Sequence, residues 1–151
     1  YYILPAGLIL IGLAVTAIYS DRGVFGWSMA TPLLLLGLVA VGTGLHVGLR
    51  TPAQVADLEQ QYQQDRQTML SEEIARMDKV NANWPRLIAT WAILVVAGLI
   101  LRFVVDSDWA HGLGPALILA GAVGFMIDGF AERRAQPYTA ALHNENSQLP
   151  P

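Results

Sequence analysis

The sequence predicts an all-α integral membrane protein, with four transmembrane helices forming two hairpins joined by a long cytoplasmic amphipathic helix. Three observations predict it. Of 151 residues, 54% are hydrophobic and only 14% charged, against about 25% charged in an ordinary soluble domain. The apolar residues gather in four blocks, at 3–19, 32–49, 87–105 and 115–131, each near the roughly 20 residues that cross about 30 Å of hydrocarbon. The polar residues gather between the second and third blocks and after the fourth. In hydrocarbon a backbone must satisfy its own hydrogen bonds, and an apolar run of this length does so as a helix.

The first two spans are linked by Ser20 to Thr31 and the last two by Asp106 to Gly114, both read as short polar turns. Proline stands at the start of spans two and four, Pro32 and Pro115, the first-turn position that tolerates its missing N–H. Arg50 and Arg133 close those spans, and Pro52 and Pro137 follow. The shared pattern fits a parallel repeat of one hairpin, and equally two unrelated helices that enter from the same side. Arg50, Arg66, Arg76, Lys79, Arg86, Arg133 and Arg134 flank the inner ends of the spans, whereas only Arg22 and Arg102 lie toward the other side. The positive-inside rule then places the middle segment and both termini in the cytoplasm of a plasma or bacterial inner membrane. Tyr19, Trp27, Trp84 and Trp109 fall at the predicted interfaces.

The middle segment, 51–86, opens with Thr51-Pro52, read as N-cap and first helical residue. Val55, Leu58 and Tyr62, then Met69, Ile74 and Met77, recur at helical spacing among glutamines. The expectation is one long helix, or two with a break where Ser71 caps Glu72 and Glu73. Its basic and acidic residues nearly balance, so attraction to anionic lipid is weak. A partner surface, another copy of the chain or its own C-terminal tail is the expected cover for the stripe. The tail itself, 135–151, is short, polar and carries three prolines, and is expected to be extended.

Small residues mark packing faces: Gly44 and Gly48 in span two, and Ala116, Ala120 and Gly124 in span four. Asp128 continues the latter stripe into the interior. An intramembrane acid costs roughly 2.5–3.5 kcal/mol on insertion scales and so signals a role. His46, at similar depth, is a candidate partner, as are Arg50 and Arg86. Arg102 and Asp106, four apart, are expected to pair. Asp106, Asp108 and His111 are weak candidates for a divalent metal, and the reading assigns no metal, pigment, lipid or other cofactor.

The chain has no cysteine and a formal charge of −3, which leaves no thiol chemistry and no basic patch for nucleic acid. It has no nucleophile elbow, Walker loop or His-Glu-x-x-His motif, so an enzyme is not expected. The leading expectation is a non-catalytic membrane subunit or scaffold of a larger complex. It docks other membrane subunits, or its own copies as an oligomer, through the amphipathic helix. The alternative is an oligomeric transporter or channel for protons or cations that uses Asp128 and His46.

Overall fold

The computed structural model describes residues 2–148, and they form four helices without a strand: α1 (Ile3–Ser20), α2 (Val24–Gln64), α3 (Arg66–Val104) and α4 (Asp108–Ser147). All four are long and apolar enough to cross a membrane. They differ in reach. α1 has 18 residues, whereas α2, α3 and α4 have 41, 39 and 40, so at 1.5 Å per residue the last three are roughly 60 Å long and α1 less than half that. Each long helix therefore has an apolar half and a polar half, and the polar halves gather at one end, around Asp65.

The helices pack as a row in the order α1, α2, α4, α3, with α3 and α4 the most extensive pair. Glycines set the closest approaches. A methyl group on Gly7 would lie 2.8 Å from the Gly37 carbonyl, and one on Gly98 would lie 2.6 Å from that of Gly114. A core of Leu10, Ala14, Ala17, Ala30, Leu33 and Ala116 joins α1, α2 and α4. Outward, the apolar halves leave large side chains uncovered, among them Leu38, Val39, Ile93, Phe103 and Val104.

Several boundaries differ from the sequence expectation, with one shared cause. The turns are shorter: α2 begins at Val24 and α4 at Asp108, so Pro32, Pro52, Pro115 and Pro137 lie inside helices, as does Pro85 in α3. An interior proline forfeits one hydrogen bond and costs about 3 kcal/mol. Breaking the helix would instead strand a whole turn of backbone donors beside buried Ala30 and Leu33. Threonine hydroxyls supplement the ladder next to two of these prolines: Thr31 donates to the Trp27 carbonyl at 2.8 Å and Thr51 to that of Val47 at 2.6 Å.

The segment 51–86 is thus neither one helix nor two parted at Ser71. It is the end of α2 and the start of α3, which meet at Asp65, a non-helical residue whose carboxylate caps α3 by accepting from the Thr68 N–H at 3.1 Å. Ser71 instead donates to the Thr68 carbonyl. Nor is the C-terminal segment extended: α4 continues through Pro137 to Ser147, and 149–151 lie outside the described residues. Ala135, Thr139 and Leu142 fall at helical spacing, and burial of Thr139 and Leu142 draws this segment onto α3.

Candidate functional site

Two regions gather polar chemistry. The first is the polar end of the α3–α4 pair. There Leu70, Met77 and Leu142 form a small buried cluster, with Ile74 and Ala135 against it. Beside that cluster Glu73 is only 4% exposed. A buried carboxylate is tolerated when it is paired and hydrogen-bonded, and Glu73 is both. Arg76, one turn on, donates to both its oxygens at 2.7 and 2.5 Å, and the Tyr138 hydroxyl of α4 donates to Oε1 at 2.9 Å.

The arginine hydrogen bonds hold the Glu73 carboxyl below its usual range, and burial together with Glu73 pushes the Tyr138 phenol up to about 12. Further along the pair, Asn81 donates to Thr139 at 3.1 Å, and His143 stands 3.7 Å from Asp78. At the tip, Glu145 accepts from Tyr62 at 2.5 Å and pairs with Arg66; the tyrosine and arginine hydrogen bonds lower its carboxyl, and the carboxylate in turn raises the tyrosine. These contacts are internal braces.

The amphipathic stripe is thereby divided. Met77 is buried and Met69 and Ile74 half-buried, whereas Val55 remains 57% exposed, Leu58 is half-covered, and Tyr62 meets the α4 tip through its hydroxyl and Arg66 over its ring. From Thr51 to Asp57 every α2 side chain is exposed.

The second region is a cavity of about 210 Å³ in the apolar part of the bundle. Leu10, Leu36, Ala40, Val123 and Ile127 wall it, and Trp91, Thr43 and Asp128 supply its polar groups. Gly124 makes the arrangement feasible. A methyl group there would collide with the Trp91 ring, so the bare glycine lets the indole lie against α4. The ring then reaches one turn further, and its N–H donates to Asp128 Oδ2 at 2.6 Å. Sequence reasoning missed Trp91. The available signal was an indole N–H within an apolar block, which needs an acceptor.

Asp128 therefore pairs with Trp91 rather than with His46, Arg50 or Arg86. Those three are exposed, because their positions on α2 and α3 point away from the α4 contact. Gly44 lies against Leu4 of α1, but nothing lies within 4 Å of a methyl group placed on Gly48, so only the first of that pair packs within the chain. Ala116 and Ala120 are buried as their stripe implies.

At the opposite end, a cleft of about 620 Å³ is lined by Asp21, Arg102, Asp108 and His111 among others. Arg102 does not pair with Asp106. α3 stops at Val104 and Val105 is extended, so the four-residue spacing no longer puts the two on one helical face. Asp106 instead lies 3.9 Å from His111. Among the described residues no group of three His, Asp or Glu side chains could hold a metal ion.

No family model, curated protein or solved structure matches the chain.

Proposed function

We propose that this chain is a non-catalytic integral membrane subunit that docks a helix of another subunit of its complex on the polar half of α2. The observation that carries the reading is the unequal cover of the amphipathic stripe: α4 closes over Met77 and Leu70, while Val55 stays exposed and Leu58 only half-covered. Helical stability in proteins comes mostly from packing an apolar face, so a partner helix with a matching stripe would stabilise this exposed extension of α2. Gln54, Gln60, Gln61 and Gln64 around the stripe suit a polar rim.

In this reading the apolar halves span the bilayer as two hairpins, which accounts for the uncovered Leu38, Ile93, Phe103 and Val104. The polar halves stand in the cytoplasm as a three-helix stalk about 25 to 30 Å tall, on the side rich in arginine and lysine. The parallel-repeat idea gains little from the packing, since Gly37 follows Pro32 whereas its counterpart Gly114 precedes Pro115. The exposure of His46 and the pairing of Asp128 with Trp91 favour docking over a proton or cation route through both residues.

The test is native mass measurement of the complex after gentle extraction from its own membrane. The expected result is a defined hetero-complex that Val55→Glu with Leu58→Glu dissolves, while the helical content of the isolated chain is unchanged. A doubly substituted chain that assembles like the wild type would sink the reading.

A further inference from the structure

The Asp128 cavity carries an inference independent of the docking reading. Its carboxylate has one donor, the Trp91 indole on Oδ2. No donor among the described residues reaches Oδ1, and no lysine, arginine or histidine among them forms an ion pair with Asp128. An anionic group among aliphatic walls is costly until a positive charge or a proton meets it. A bare divalent cation would need six or more oxygen ligands, which Leu36, Ala40, Val123 and Ile127 do not provide. What fits is a charge with an apolar body.

We propose that the cavity binds a small lipophilic ammonium compound, its cationic head on Asp128 and its hydrocarbon part against the aliphatic wall. Size supports this class. A dry cavity of about 150 Å³ accepts benzene, so 210 Å³ has room for one ring with a short aminoalkyl arm. The packing order also provides a way in. α1 and α3 do not pack on each other, although Leu10 of one and Trp91 of the other both border the cavity. The cavity is only partly enclosed, and this weakly packed side is the entry the proposal assigns to an amine dissolved in the surrounding apolar phase.

The experiment uses the full chain in phosphatidylcholine nanodiscs, with phenethylamine (protonated at neutral pH) as probe and 2-phenylethanol as its uncharged counterpart. Calorimetric titration against empty nanodiscs separates binding from partition into lipid. The expected result is saturable binding of the amine, with a preference over the alcohol of at least about tenfold. Asp128→Asn keeps the shape and the indole contact, and is expected to erase that preference while the alcohol still binds. Val123→Phe, which fills the cavity, is expected to weaken both probes, and Asp128→Asn decides alone if that variant does not fold. Three results overturn the proposal: amine uptake no greater than in empty nanodiscs, equal affinity for amine and alcohol, or an Asp128→Asn chain that retains the preference.

Discussion

Docking of the polar half of α4 onto α3 rests on one small cluster, and Leu70→Ala tests it directly. Leu70 is wholly buried against Met77 and Leu142. Truncation to alanine removes three carbons, worth about 2.4 kcal/mol at roughly 0.8 kcal/mol per buried CH₂. The space left behind raises the loss toward the 2.7–5 kcal/mol range typical of such substitutions, and we take about 3 kcal/mol. At about 1.4 kcal/mol per factor of ten, opening of the α4 end becomes roughly a hundredfold more frequent. Amide hydrogen exchange resolved by residue reads this opening locally. Protection is expected to fall about a hundredfold from Tyr138 to Ser147 and stay unchanged from Ala116 to Gly124, where α4 packs on other cores. Two results would refute the reasoning: wild-type amides from 138 to 147 exchanging like an unfolded peptide, or protection unaltered by Leu70→Ala.

The Glu73 site predicts opposite responses to acid and base. Its carboxyl is lowered in the folded chain, so its stabilising contribution is complete above the ordinary value of 4.5 and is lost as pH falls through the lowered folded value. Fluorescence of Trp84, which hydrogen-bonds Asn81 beside this region, is expected to show an acid transition that Glu73→Gln flattens. Tyr138 behaves the other way: raised to about 12, it contributes fully below 10 and loses that contribution as pH climbs through 12. Ultraviolet titration is expected to show that the tyrosine ionising near 12 moves toward 10 in Glu73→Gln.

For the glycines, Gly98→Ala places a methyl group against the Gly114 carbonyl and Ile118, so thermal unfolding in detergent is expected to come several degrees earlier. Gly48→Ala meets nothing and is expected to leave the midpoint unchanged or raise it, since alanine is the better helix former by about 1 kcal/mol. Single cysteines at Gln64 and Asp106, in a chain with none of its own, are expected to react with an impermeant label from opposite sides of the membrane. Labelling of both from the same side would overturn the span between them, and labelling of Gln64 from outside would overturn the orientation.

The four apolar blocks were readable because block length and low charge answer to the thickness of hydrocarbon, a property of each segment by itself. Gly44, Ala116, Ala120 and Gly124 were readable for a related reason: small residues at four-residue intervals mark close approach whatever the neighbour. Helix ends were less readable. Pro32, Pro52 and Pro115 are strong local signals for a helix start and Pro137 for an extended tail, but packing of Ala30, Leu33, Thr139 and Leu142 outweighs them. Asp128 was conspicuous as an isolated acid, while its partner was hidden because Trp91 stands on a different helix and only the missing side chain of Gly124 brings the ring within reach.

By itself, then, the sequence determined the helical class, the four apolar lengths and the side on which the basic residues collect, all of which follow from local composition and periodicity. Tertiary structure alone decided that α4 runs on as a brace for α3, that Glu73 is shared between Arg76 and Tyr138, and that half of the amphipathic stripe is covered. Those outcomes depend on which faces of distant segments meet. A stripe along one helix encodes the need for cover but not the identity of what covers it.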